Sequence, residues 1–265
     1  MRIASVGHVA FAAILIAVGI AGLLEGKLGA IWQPVPKGVP AHEALAYLCA
    51  SVSLFGGAGL LWARTAPRAA RVLLAYLLIW LFVFRVPNLF LAPSQQDSWS
   101  GCGETMVIVA GAWVLYAWFA SDRDTRRFGF ATGEAGLRIA RVIYALALIP
   151  FGVAHFSYPN ETAALVPGWL PFRLAWAYGT GGAFLVTAAA ILIRVCARRA
   201  AALSAVQMGL FTLLVWFPIL ARGSNDVFQW SETVLSAALT AAAWVVADSY
   251  RRVPAPAARR VGEGA

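Results

Sequence analysis

Long apolar runs alternate with short polar or basic segments along the whole chain. An α-helix that rises about 1.5 Å per residue needs about 20 residues to cross an apolar bilayer core about 30 Å thick, and each run is close to that length. The runs predict eight transmembrane helices, at residues 4–24, 43–63, 69–92, 103–120, 138–156, 172–194, 200–221 and 231–248. The first run follows Arg2 as a signal peptide would, but it has no clear A-x-A cleavage site, and we interpret it as a span.

The composition agrees with a membrane protein and excludes a soluble domain. Of the 265 residues, 61% are hydrophobic and only 12% are charged, whereas soluble domains carry about 25% charged residues. The net charge of +9 is spread over short loops instead of being gathered on one solvated face, which argues against a nucleic-acid partner. We therefore expect the lipid bilayer to be the main environment of this chain.

The basic residues predict how the spans are oriented. Most of the 21 Lys and Arg residues lie at the N-terminus, in the loops after the second, fourth and sixth spans, and in the C-terminal tail. Cytoplasmic loops carry an excess of Lys and Arg, so both termini are expected in the cytoplasm of a cell whose inner (plasma) membrane holds the protein.

An internal repeat is visible in the loop before the second and sixth spans. Val35–Pro40 aligns without a gap on Val166–Pro171, and the similarity continues into the following helix. Further along, Arg85 corresponds to Arg222 and Glu104 to Glu232, provided that short insertions are allowed. Because each half contains an even number of spans, the two halves enter the membrane in the same direction.

The predicted fold class is therefore an all-α membrane protein whose eight transmembrane helices form two tandem parallel four-helix units. The first unit is expected at residues 1–120 and the second at 138–250. A cytoplasmic linker at 121–137 joins them. The tail at 251–265, rich in Pro and Gly and without periodicity, is predicted to be disordered.

The second half resembles a known family. The segments Gly152–Phe156, Val166–Pro171 and Tyr178–Gly181, together with Trp176, are similar to the first two helices of the DoxX/DoxD-like integral membrane proteins, which are four-helix units. That family includes the small subunit of a thiosulfate:quinone oxidoreductase. The resemblance implies an accessory or quinone-proximal membrane component of redox or thiol metabolism, with a partner oxidoreductase subunit.

Ionisable residues collect near the predicted outer ends of the spans, and charges at membrane depth usually face a bundle interior or a watery cavity. The candidates for a ligand site are Arg85, Glu104, His155, Arg222 and Glu232. Arg85 is expected to pair with Glu104, and Arg222 with Glu232 or Asp226. Such a pocket could bind a quinone headgroup or a sulfur oxyanion, because the arginine fork donates parallel hydrogen bonds. The alternative is that the ion pairs only lock neighbouring helices, and that His155 only makes an interfacial hydrogen bond.

Two cysteines, Cys49 and Cys102, lie on the predicted outer side and could form a redox pair, or could simply pack as small residues. Cysteine and histidine spacings predict no metal site, and no cofactor is evident apart from a possible quinone. Because no catalytic motif is present, enzymatic activity is uncertain and the chain is at most a membrane subunit of an oxidoreductase. The alternative functions are a small-molecule transporter and a membrane scaffold that binds a partner protein.

Overall fold

The structure is a computed structural model that describes residues 4–28, 35, 39–224 and 226–251. Eight of its helices are long and apolar enough to cross a membrane, and no strand occurs among the described residues. We number them α1 (Val6–Glu25), α2 (His42–Leu60), α3 (Ala66–Leu91), α4 (Gln96–Phe119), α5 (Gly133–Ser157), α6 (Arg173–Leu192), α7 (Ala197–Ala221) and α8 (Val227–Asp248). The predicted number of spans and the all-α fold class are confirmed.

The helix ends differ most from the predicted spans at the start of α4. The apolar run begins at residue 103, whereas the helix begins at Gln96. Apart from Trp99, its first two turns are polar or small, so hydropathy alone does not mark them. They are held in place by packing, since the Gln96 amide donates a hydrogen bond to the Pro150 carbonyl of α5 at 2.9 Å.

Helix α4 lies at the centre of the bundle, where it packs against α3, α5 and α8. Further pairs are formed by α1 with α2 and α8, by α2 with α3, by α5 with α6, by α6 with α7, and by α7 with α8. Small residues allow the central helices to approach closely. A Cβ atom added at Gly111 would lie 2.9 Å from the Cα atom of Ala242, so α4 and α8 cross almost backbone to backbone at this point.

The outside of the bundle is apolar. Large side chains on several helices are more than half exposed, among them Phe55 (72%), Phe82 (62%), Phe90 (80%) and Val186 (69%). A soluble protein rarely exposes so many large apolar side chains. This surface suits a lipid environment, in which each helix satisfies its own backbone hydrogen bonds.

Helices α3 and α7 each contain one π-helical turn, at Leu81–Arg85 and Thr212–Trp216. The amide of the next residue closes the wide turn, from Val86 to the Leu81 carbonyl in α3 and from Phe217 to the Thr212 carbonyl in α7. A proline follows immediately in both helices, at Pro87 and Pro218. Proline has no N–H group and its ring crowds the carbonyl four residues earlier, which explains why the ordinary α-helical pattern is interrupted here.

Several other features recur at the same interval of 131 residues along the chain. The paired helices α2 and α6 begin at His42 and Arg173, α3 and α7 at Ala66 and Ala197, and α4 and α8 at Gln96 and Val227. One side-chain contact recurs as well: the indole N–H of Trp99 donates to the Pro93 carbonyl at 2.9 Å, and the indole N–H of Trp230 donates to the Ser224 carbonyl at 3.0 Å.

The segment predicted as a linker, residues 121–137, is largely helical. It contains a short helix at Asp122–Arg127, a 3₁₀ turn at Gly129–Ala131 and the first turn of α5. Residues 252–265 of the predicted tail lie outside the described residues, as do residues 36–38 of the repeated motif.

An ion pair ties this connection to the start of α3. The Asp124 carboxylate lies 3.0 Å from the Arg71 guanidinium and forms a reciprocal capping box with Ser121. Its side chain is only 1% exposed. Burial alone would raise the pKa of Asp124, but the hydrogen bonds from Ser121 and the positive charge of Arg71 outweigh it and hold the pKa below the ordinary value.

Candidate functional site

The predicted ion pair between Arg85 and Glu104 is confirmed. Arg85 is the last residue of the π-helical turn in α3, and Glu104 lies on α4, near the end of the bundle opposite the arginine-rich loops. The Arg85 Nη2 atom is 3.9 Å from the Glu104 Oε2 atom, and the two side chains are 11% and 20% exposed. This distance is longer than the roughly 2.8 Å of a direct charge-assisted hydrogen bond, so the two groups attract each other without forming a closed bidentate fork.

Gly101 provides the space for the Arg85 side chain. A Cβ atom built at Gly101 would overlap the Nη1 atom of the guanidinium. Any larger residue at this position of α4 would therefore displace the arginine. The close approach places the guanidinium directly against the α4 backbone, one helical turn before Glu104.

A second predicted site residue, Glu232, is close to the pair. Glu232 on α8 and Asp97 on α4 both interact electrostatically with the Glu104 carboxylate. Carboxylates from α4 and α8 are thus within electrostatic range of Glu104, the partner of Arg85. This arrangement favours a bound group that can donate or share a proton, because neighbouring negative charges repel each other.

A narrow groove begins at Glu104 and continues towards the middle of the bundle. Its upper part is lined by Tyr76, Leu77, Trp80, Glu104, Thr105, Ile108 and Leu235. An adjoining part lies between α1, α3, α4 and α8 and is lined almost entirely by apolar side chains. The free volumes are about 10 and 20 Å³, room for a water molecule or two. The groove thus joins a charged mouth to an apolar slot.

Both predicted redox cysteines border this cluster. The Cys49 thiol is within hydrogen-bonding reach of Tyr76 and Trp80, and the Cys102 thiol interacts with the Arg85 charge. Both are buried free thiols, and Cys102 Sγ lies 4.0 Å from the sulfur of Met106. Cys49 thus reaches two side chains of the groove wall and Cys102 lies near Arg85, but neither is among the lining residues of the groove, and a redox role for them stays a prediction.

His155 lies in a different environment. Its Nδ1 atom is 2.8 Å from the Phe151 carbonyl of the preceding turn of α5. Its ring packs edge-on against Phe184, at 5.6 Å between centroids, and is stacked near Phe211, at 6.2 Å. These contacts join α5 to α6 and α7 and fit the hydrogen-bonding alternative better than membership of the Arg85 cluster.

The predicted counterpart pair at Arg222 is not formed. Arg222 is exposed at the end of α7, and among the residues that the structure describes it forms no ion pair. Asp226, one of its two predicted partners, instead caps α8 by accepting a hydrogen bond from the Phe228 amide at 3.0 Å. Because α7 ends at Ala221, Arg222 reaches solvent and needs no partner inside the bundle.

Sequence reasoning missed the aromatic and hydroxyl side chains of the groove, namely Tyr76, Trp80 and Thr105. The centroids of the Tyr76 and Trp80 rings are 6.3 Å apart, and those of Trp80 and Phe84 are 4.5 Å apart. The spacing of Tyr76, Trp80 and Phe84 in the sequence could have indicated this group, because residues four apart lie on one helix face. In an apolar span, however, an aromatic stripe is equally typical of lipid contact.

Comparison with known proteins finds a match to part of the second half of the chain. Residues 144–247 match a family model described as a domain of unknown function (DUF8561). No curated protein and no solved structure matches the chain. The matched region includes His155 and most of α5 to α8, and it excludes Arg85 and Glu104. Within the described residues, no group of three or more His, Cys, Asp or Glu side chains is arranged to hold a metal ion.

Proposed function

We propose that this protein is a DoxX-like accessory membrane component of redox or thiol metabolism that binds a quinone headgroup at the Arg85–Glu104 pair. The Arg85–Glu104 pair carries the proposal, because it brings a guanidinium beside the carboxylate at which the apolar groove begins. The arginine N–H groups suit a quinone carbonyl. The ring and tail would enter between Trp80 and the aliphatic walls once the groove, which has room for a water molecule or two, has widened.

The proposed architecture is two tandem parallel four-helix units related by a twofold axis along the membrane normal. The recurrence of helix starts, π-helical turns and one tryptophan contact at a single interval supports it. So does the crossing of α4 and α8, since Gly111 and Ala242 are themselves separated by that interval and meet each other. The same interval pairs Arg85 with Trp216, not with Arg222.

The proposed location is the inner (plasma) membrane, with both termini in the cytoplasm. The basic connections between α2 and α3, between α4 and α5 and between α6 and α7 lie at one end of the bundle, as the distribution of Lys and Arg on the cytoplasmic side of membrane proteins favours. In this orientation the Arg85–Glu104 pair is near the outer surface.

In the proposed reaction a partner oxidoreductase subunit supplies two electrons to the quinone. The quinone also takes up two protons and becomes a quinol. Glu104 lies at the groove mouth with Glu232 beside it, so a proton can reach a quinone carbonyl oxygen from this side. Arg85 would stabilise the negative charge that develops on that oxygen during reduction.

The test is equilibrium binding of decylubiquinone to the purified protein in lipid nanodiscs. Replacing Arg85 with Gln removes the charge and keeps much of the side-chain volume. A hydrogen bond from a charged donor contributes about 1.5–3 kcal/mol, so Arg85→Gln is expected to weaken binding about tenfold or more.

Arg222→Gln is the matched control, because it removes an equal charge from the same end of the bundle at an exposed position. Its affinity is expected to stay within about twofold of the wild type. Equal effects of the two variants, or unchanged binding in Arg85→Gln, would contradict the proposed site and leave the ion pair as a structural link between α3 and α4.

A further inference from the structure

A basic pocket lies at the other end of the bundle, where α5, α6 and α7 meet. Its volume is about 480 Å³, far larger than the groove below Glu104. Five arginines line it, at positions 138, 141, 194, 198 and 199, together with Tyr250, Cys196 and a few aliphatic residues. Neither Asp nor Glu is among these lining residues.

Most of these arginines are available to a ligand. Arg138, Arg194, Arg198 and Arg199 are exposed, and within the described part of the chain none of them forms an ion pair. Four positive charges around a pocket whose lining includes no carboxylate repel each other, and the nearby Glu134 acts on the fifth arginine, Arg141. An anion that neutralises the four is therefore favoured.

The fifth arginine is fixed and shapes the pocket wall. Arg141 donates hydrogen bonds from Nε to the Ser249 hydroxyl, at 2.9 Å, and from Nη2 to the Ser249 carbonyl. Its guanidinium also lies over the Tyr250 ring, 4.2 Å from the centroid. Burial raises the pKa of the Tyr250 hydroxyl, against the opposing effect of the Arg141 charge, so this hydroxyl stays a neutral hydrogen-bond donor.

The α7 helix adds a further positive contribution. Its first residue, Ala197, lines the pocket, and no side chain caps the helix at Cys196. The unpaired amides of a first helical turn carry a partial positive charge that attracts anions, phosphate groups in particular. The amides and the arginines therefore attract an anion to the same pocket.

The remaining wall of the pocket is apolar and faces the lipid side. Val142 and Leu192 line it and are 43% and 40% exposed on the outside of the bundle. A soluble phosphate compound would make no apolar contact with this wall, whereas a phospholipid would place its acyl chains along it. The pocket thus combines a cationic site at the membrane surface with an apolar face that continues into the bilayer.

We propose that this pocket binds the phosphate headgroup of an anionic phospholipid, with the acyl chains lying against α5 and α6. Basic pockets between transmembrane helices are a recognised form of lipid-headgroup site. The proposal is independent of the quinone site, because the two sites lie at opposite ends of the bundle and share no residue.

The test is native mass spectrometry of the purified protein titrated with phosphatidylglycerol, with phosphatidylcholine as the uncharged reference. The double variant Arg194→Gln/Arg198→Gln removes two of the exposed lining charges. Each basic residue near an anionic surface contributes about fivefold to binding, so the loss of two is expected to lower phosphatidylglycerol affinity about 25-fold. Phosphatidylcholine binding is expected to be weak and unchanged.

The matched control is Arg64→Gln/Arg68→Gln, which removes two exposed charges outside the pocket, one from the connection between α2 and α3 and one from the first turn of α3. Equal losses in both double variants would overturn the proposal, because net charge alone would then explain the binding. Full competition by inorganic phosphate or glycerol phosphate would overturn the lipid as occupant in favour of a soluble phosphate compound. Equal binding of both lipids by the wild type would also overturn it.

Discussion

At the residue scale, the sequence was sufficient to predict the Arg85–Glu104 pair, because an arginine at membrane depth calls for a partner and Glu104 is the nearest acidic residue on the next span. It grouped Glu232 with Glu104 as candidates for one site, but it could not show that the two carboxylates interact, which depends on how α8 packs against α4. It was wrong about Arg222, because α7 ends one residue earlier and leaves that side chain in solvent.

Gly101→Ala tests whether the position of the Arg85 guanidinium matters. The added methyl group would overlap Nη1 and push the flexible end of the arginine aside, without removing any charge. Decylubiquinone affinity is expected to fall several-fold, while thermal stability stays close to that of the wild type because alanine favours a helix by up to about 1 kcal/mol over glycine. The control is Gly179→Ala, where nothing lies within 4 Å of the new atom, and its decylubiquinone affinity should not change. An unchanged affinity in Gly101→Ala would contradict the claim that the position of the Arg85 guanidinium matters for quinone binding.

Asp124 makes stability depend on pH. Its pKa is lowered in the folded state, so its contribution is complete above the unfolded-state value of about 3.9 and is lost as the pH falls through the lower folded-state value. We expect Asp124→Asn to lower the melting temperature at neutral pH, with a loss of about 1–2 kcal/mol from the cap and the ion pair.

The measurement is a series of thermal unfolding curves of wild type and Asp124→Asn in detergent between pH 3 and 7. The difference between the two melting temperatures should be constant above about pH 5 and should shrink towards pH 3. A difference that is the same at every pH would mean that ionisation of Asp124 contributes nothing.

At the element scale, the eight spans were predictable because each apolar run has the length that a bilayer requires. The start of α4 was not, since its first two turns carry a polar sequence and owe their helical form to contacts with α5. The π-helical turns were not predicted either. Pro87 and Pro218 mark them in the sequence, but whether a proline kinks, ends or widens a helix depends on its packing.

Pro87→Ala tests the link between the π-helical turn and the site. Alanine restores an amide that can bond to the carbonyl four residues earlier, so the ordinary α-helical pattern competes with the wide turn that ends at Arg85. The guanidinium should then be displaced from Glu104, and quinone affinity should fall several-fold. Pro218→Ala makes the same change in α7 and is expected to leave the affinity unaltered; equal affinities of the two variants would contradict this link.

At the scale of the whole molecule, the interval between equivalent features is more regular in the structure than in the sequence. Matching Arg85 to Arg222 and Glu104 to Glu232 required insertions, whereas the helix starts from α2 onwards keep one interval. Sequence similarity between the halves is weak enough for isolated arginines and glutamates to align by chance. Backbone features such as the π-helical turns indicate the alignment of the two halves more reliably, because packing constrains their positions.

The proposed orientation can be tested with a native cysteine. Cys196 is exposed between α6 and α7, whereas Cys49 and Cys102 are buried. A membrane-impermeant maleimide should therefore label the protein in inside-out vesicles and leave it unlabelled in intact cells, with Cys196→Ser as the control for site specificity. Labelling in intact cells would place the basic end of the bundle outside and reverse the proposed topology.

The most direct test of the central claim is the content of the groove in protein purified gently from its own membranes. Native mass spectrometry of the wild type and of Arg222→Gln is predicted to reveal a bound quinone, identified by its mass and distinct from any phospholipid. Arg85→Gln is predicted to lack it. A quinone retained by Arg85→Gln, or a wild type that carries no quinone, would contradict the account.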